Sequence, residues 1–175
     1  MADPAVRIYW DACAWIGFFN DEPDKVTALR KIWEDAQKGQ YEIYTSTFSY
    51  VEVLHGKTLY GESYKTTEKL EEYDEKVFAA LDQTHVKRAQ LDTEVAKLAR
   101  EFRRRYHPNL TKRSDAIHLA TAAYYNCDEM HTYDDPHLIP LDGRVKRKDG
   151  KDLKILRPML PMADLFAPIE SGGGS

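Results

Sequence analysis

Only two of the 175 residues are cysteines, Cys13 and Cys127, too few for a disulfide framework. A reducing compartment, the cytoplasm, is therefore the expectation. The six histidines (His55, His85, His107, His118, His131 and His137) do not combine with those cysteines at zinc-site spacing, so a structural zinc is not expected. No apolar run approaches the ~20 residues of a membrane span. Met1-Ala2-Asp3-Pro4 lacks the basic and apolar regions of a secretory leader. Phosphate-cradling glycine loops are missing too: neither G-x-x-x-x-G-K-S/T nor G-x-G-x-x-G occurs. Without a G-x-S-x-G elbow, the commonest α/β-hydrolase chemistry is also excluded. Finally, positive charge is not in excess. The net charge is −4, which argues against a chain held on nucleic acid by a global positive field.

What remains is a soluble globular balance, 42% hydrophobic and 31% charged. It reads as one domain over residues 1–170, followed by a flexible Gly/Ser tail over 171–175 that stands outside the fold. The cations are unevenly spread. About half lie in two stretches, Arg100 to Arg113 and Arg144 to Arg157.

The hydrophobic pattern alternates strands with helices. Val6–Trp10 and Tyr41–Thr45 read as strands, as do Val86–Leu91 and Glu129–Thr132. Between them, Asp24 is expected to cap a helix that stops near Gly39. Ser46 is expected to cap one with Phe48, Val51 and Leu54 inward and Glu52 in its middle. A polar loop over 57–66 precedes an amphipathic helix from Thr67, and Asp92 caps another. Ser114 is the expected cap of a helix rich in small residues, with Asp115 in its first turn. Asp149-Gly150 between basic arms predicts a C-terminal basic β-hairpin. The architecture expected is α/β: a three-layer α/β/α domain around a mainly parallel sheet, with the hairpin at its edge.

Four carboxylates stand where such a sheet places its ligands, beyond the carboxyl ends of the strands. Asp11 ends the first strand, Glu52 lies in the helix after the second, Asp115 opens a helix, and Asp134 or Asp135 closes the last strand. Acids brought together in a partly desolvated pocket repel one another, and a hard divalent cation, Mg²⁺ or Mn²⁺, relieves that cost. Such a cation activates water toward a phosphodiester. Lys112 and Arg113, beside Asp115, and Arg144, Lys146, Arg147 and Lys148 in the hairpin are the candidate phosphate contacts. Ser114 and Thr132 are candidate supporting groups, and Trp15 and Tyr133 candidate base-stacking rings. His118 reads as a hydrogen-bonded core histidine.

The run Ser114-Asp115-Ala116-Ile117-His118-Leu119-Ala120-Thr121-Ala122, with Asp11, Ser46…Glu52 and Thr132-Tyr133-Asp134, resembles the PIN-domain family. More narrowly it resembles the VapC-type toxin ribonucleases of toxin–antitoxin pairs, over roughly residues 8–138. That resemblance implies a Mg²⁺- or Mn²⁺-dependent endoribonuclease acting on structured RNA such as tRNA or rRNA. It also implies a homodimer and a cognate antitoxin. Asp11 and Asp115 would be the principal metal ligands, with Glu52 and Asp134 acting through water or on a second ion. The Thr-x-Asp spacing favours Asp134 over Asp135. One departure is Cys13, where the family often has Ser, Thr or Asn. Two alternatives are an inactive PIN-like module that binds RNA or protein, and a HAD- or receiver-like phosphate-transfer protein using Asp11. The second wants another acid where Cys13 stands.

Overall fold

A computed structural model describes residues 5–53 and 67–160. The expected loop over 57–66, Leu54 and the tail over 171–175 lie outside the described residues. Five strands form one sheet: β1 (Val6–Trp10), β2 (Tyr41–Ser46), β3 (Val86–Ala89), β4 (Glu129–His131) and β5 (Lys154–Leu156). Their order is β3-β2-β1-β4-β5, and every pairing is parallel. The register sets Ile8 beside Ile43 on one side and Glu129 on the other.

Strand alternation sends successive β1 side chains to opposite layers. Ile8 and Trp10 pack with Trp15, Leu29, Ile43 and Leu81 beneath α1 (Ala12–Phe19), α2 (Val26–Gln37) and α4 (Thr67–Leu81). Tyr9 points the other way, with Met130, Leu119 and Phe102, beneath α5 (Thr93–Arg105) and α6 (Arg113–Tyr124). The small residues Ala116, Ala120 and Ala123 let α6 lie close against the sheet. Two buried layers explain why the central strands read as apolar runs.

Several local expectations differ in detail. Lys112, not Ser114, is the N-cap of α6, and Ser114 sits inside its first turn. Lys25 rather than Asp24 precedes α2, which ends before Gly39 at φ +80°, where a Cβ would be strained. Ser46 belongs to β2, and its hydroxyl accepts the Phe48 amide at 3.1 Å. The following helix α3 is a single turn, Ser49–Glu52, with Val51 61% exposed and Glu52 at its end. Asp92 caps α5 as expected, accepting the Glu94 and Val95 amides. The Asp149-Gly150 turn joins arms that share one antiparallel bridge, Lys146 with Asp152, rather than a ladder of strands. The second arm then runs on as β5, the parallel edge strand. Among the described residues no helix is long and apolar enough to cross a membrane.

Candidate active site

β1 delivers Asp11 to the carboxyl end of the sheet, where it caps α1 by accepting the Ala14 amide at 2.9 Å. Asp115 occupies the first turn of α6, with Ser114 Oγ donating to it at 3.4 Å. Asp134 follows β4, its amide donating to Thr132 Oγ1 at 3.1 Å. Two helix N-termini and a strand end thus supply three acids to one place. The link between Asp11 and Asp115 is electrostatic, the Asp115 charge adding to the cost of ionising Asp11. The Cys13 thiol senses all three: burial, then the Asp11, Asp134 and Asp115 charges, pushes it up to about 12.

Helix N-termini favour carboxylates, yet here burial wins. It raises the Asp11 pKa, against the lowering effects of His118, a Thr132 hydrogen bond and the Ala14 amide. Burial raises Asp115 too, with Asp134 adding to it and Lys112 opposing. Asp134 goes the other way. Burial pushes its carboxyl up, but the His137 hydrogen bond and Lys112 outweigh that and hold it low. Lys112 Nζ lies 3.2 Å from Asp134 Oδ2 and 3.8 Å from Asp115 Oδ2. His137 Nδ1 lies 2.8 Å from Asp134 Oδ1.

Ligand atoms of Asp115, Asp134 and His137 all fall within 4.8 Å of one another. Asp115 Oδ2 is buried without a hydrogen-bond partner. A native structure rarely leaves such an oxygen unsatisfied, and two carboxylates with one imidazole form a donor set for a divalent cation. The residues therefore fit the metal that the sequence reading called for. Asp11 is not part of that close group.

Glu52 joins through a relay. Its carboxylate bonds His118 Nε2, and His118 Nδ1 lies 2.6 Å from the Tyr9 hydroxyl. That hydroxyl already accepts the Ser46 amide at 3.1 Å, so its one proton goes to Nδ1 and Nε2–H donates to Glu52. His118, read as a core histidine, is buried as expected; its bond to Glu52 was not anticipated. The signal for His137, an i, i+3 partner of Asp134, was present in the sequence but hidden by counting histidines only against cysteines.

Other candidates are placed elsewhere. Asp135 pairs with Arg157, Nε to Oδ1 at 2.7 Å, and so leaves Asp134 facing the pocket. Arg147 is buried, not presented to a substrate. It binds Asp128, Asp149 and the Cys127 carbonyl at the amino edge of β4, the opposite end of the strands from Asp134. Lys146 pairs with Asp152, Lys148 lies over Tyr124 at the far end of α6 from Asp115, and Arg144 flanks Tyr106. The hairpin cations are thus not brought to the acids, because each found a partner in the fold. Trp15 is fully buried, donating to Thr45 Oγ1 at 3.0 Å, and Tyr133 lies under Lys25.

A family model described as PIN domain matches residues 8–138. Comparison with curated proteins gives no significant match. Among solved structures, the fold is similar to Mycobacterium tuberculosis VapC20, a sarcin-ricin loop cleaving toxin, at 14% identity and TM-score 0.56, covering 73% of this chain and 89% of that one. It is similar to a toxin–antitoxin complex from Klebsiella pneumoniae at 18% identity and TM-score 0.55, covering 87% and 98%. Rickettsia felis VapBC2, bound to a promoter DNA fragment, gives 14% identity and TM-score 0.57, again covering 87% and 98%.

Proposed function

This chain belongs to the PIN-domain family, and from that premise we propose that its acidic pocket is the centre of a divalent-metal-dependent endoribonuclease, the toxin of a toxin–antitoxin pair. One observation carries the reading: the buried Asp115 Oδ2, without a hydrogen bond, beside Asp134 and His137, with Asp11 in electrostatic reach. When bound, Mg²⁺ or Mn²⁺ supplies Lewis acidity toward a phosphodiester and eases deprotonation of water.

The chain's own residues do the rest. Asp115, Asp134 and His137 would hold the cation, and the imidazole in that set would favour Mn²⁺ over Mg²⁺. Asp11 faces the same charge from the end of β1, oriented by Thr132 and the Ala14 amide. Glu52, fixed by His118, takes the proton of the attacking water. Lys112, freed from Asp134 and Asp115 once their charge is neutralised, is available to a phosphate oxygen.

A structured RNA is the substrate class, in line with sarcin-ricin loop cleavage by the M. tuberculosis relative. The partner is a cognate antitoxin, as in the K. pneumoniae and R. felis complexes; a cytoplasmic homodimer is the working assembly that the family resemblance implies.

The test is incubation with total cellular RNA in Mn²⁺, Mg²⁺ or EDTA, mapping new RNA ends. Cleavage by the wild type with metal, abolished in Asp11→Asn and Asp115→Asn of unchanged circular dichroism, is expected. Undiminished cleavage by both variants removes the assignment.

A further inference from the structure

The two basic stretches of the sequence meet opposite fates in the fold. In the C-terminal one four of the seven cations are paired with acids, Lys146 with Asp152, Arg147 with Asp128 and Asp149, Lys154 with Glu129 and Arg157 with Asp135, while Arg144 and Lys148 lie against tyrosine rings. On α5, Lys97 and Arg105 are likewise paired, with Glu94 and Glu101. Arg100, Arg104 and Arg113 are not. They are exposed and have no acidic partner among the described residues. All three, with Arg103 and His107, line one groove of about 670 Å³ between α5 and α6. No acid lines it, and Leu91 and Ile117 give it an apolar floor. Arg113 and Ala116, at its edge, flank Asp115 in the first turn of α6.

Resting on the nuclease reading, we infer that this groove is the track for the phosphodiester backbone of a single-stranded segment, such as a loop of the structured RNA, leading to the acidic pocket. Guanidinium groups are planar, weakly hydrated and suited to bidentate phosphate contacts. An apolar floor beside them accepts ribose and base faces, the combination that single-strand binders use. The charge sequence points to RNA rather than an acidic peptide. A peptide continuing past Arg113 would carry its carboxylates against Asp115 and Asp134, whereas RNA brings a phosphate to the cation those acids hold.

Anisotropy of a fluorescein-labelled 12-nucleotide RNA, in EDTA and across a KCl series, tests the binding. At about 0.7 released counterions per neutralised phosphate of a single strand, R100Q/R104Q/R113Q should lower the log–log salt slope by about two. With affinities converging near 1 M salt, that is roughly a 100-fold weaker complex at 0.1 M KCl. The control K146Q/K148Q/K154Q should change neither. An unchanged slope in the groove variant, or an equal loss in the control, overturns the inference. Equal competition by poly-glutamate overturns it in favour of an acidic protein partner. A cleavage arm separates the two readings. With Mn²⁺, R100Q/R104Q, which leaves Arg113 beside Asp115 in place, should keep wild-type hydrolysis of bis-p-nitrophenyl phosphate while its KM for the RNA rises. An RNA KM that does not move sinks the groove alone. A wild type that hydrolyses neither substrate sinks the nuclease reading and leaves the salt slopes to decide the groove. All three arginines are exposed, and single substitutions, each lowering the slope by about 0.7, serve if the triple variant fails to fold.

Discussion

Replacing His118 with leucine keeps most of the side-chain volume and removes both ends of the Glu52–His118–Tyr9 relay at once. Tyr9 is fully buried, and its hydroxyl proton would lose its acceptor. An unsatisfied buried donor costs about 1–3 kcal/mol. Glu52 is 21% exposed on its side chain and can regain water, so its loss adds about 1 kcal/mol or less. The sum, about 1–4 kcal/mol, should lower Tm by roughly 3–15 °C for a chain of this length. The relay also predicts a sign of coupling. Tyr9→Phe alone strands the Ser46 amide and His118 Nδ1, but in the double variant the hydroxyl and the ring vanish together. The double variant should therefore be less destabilised than the sum of the singles, by about 1–2 kcal/mol. Urea unfolding of the four proteins measures this. Strict additivity, or a His118→Leu protein as stable as the wild type, refutes the relay. In cleavage assays His118→Leu should lower kcat with little change in KM, because it releases Glu52 without touching the groove.

Other consequences can be read separately. Arg147→Met removes a buried guanidinium and its bonds to the Cys127 and Asn126 carbonyls at the amino edge of the sheet and should cost about 2 kcal/mol, since the part-exposed Asp128 and Asp149 can turn to water. Scanning calorimetry should show a Tm loss of several degrees with RNA cleavage retained. The same substitution should flatten acid unfolding. Burial pushes Asp128 up, but the Arg7 amide and Arg147 together hold it below the ordinary carboxylate value. Its stabilisation is thus complete above about pH 4 and lost as pH falls through the lower folded value. Cys13, exposed as a residue but with its thiol pushed up by partial burial and by the Asp11, Asp134 and Asp115 charges, should alkylate at pH 8 at least tenfold more slowly than a free cysteine, on the order of the smaller thiolate fraction. Mn²⁺, by neutralising the acids around it, should speed that reaction, as mass spectrometry of iodoacetamide-treated protein would show. A rate equal to that of free cysteine contradicts the crowding of acids at Cys13.

The sheet was legible in the sequence because each central strand is buried on both faces and each helix has an apolar face. Asp92 and Gly39 mark helix ends through local chemistry, which sequence carries well. Ser46 and Ser114 misled because a hydroxyl can bond a nearby group without being a cap: Ser46 bonds an amide at a strand end, Ser114 the neighbouring Asp115. The acids at strand ends and helix starts could be named from position alone. Their partners could not, since Tyr9, Glu52 and His118 meet only through folding, 109 and 66 residues apart along the chain. Nor could sequence tell the two basic stretches apart. Both are rich in cations, and only the fold shows that Asp128, Asp149 and Asp152 pair with Lys146 and Arg147 in one of them.

Calorimetric titration of the EDTA-stripped protein with Mn²⁺ asks most directly whether these separated acids hold one cation between them. The wild type should bind, Asp115→Asn should bind at least 100-fold more weakly, and Lys112→Met should bind up to about fivefold more tightly because an exposed competing ammonium is gone. Asp115→Asn taking up Mn²⁺ as tightly as the wild type would contradict the account.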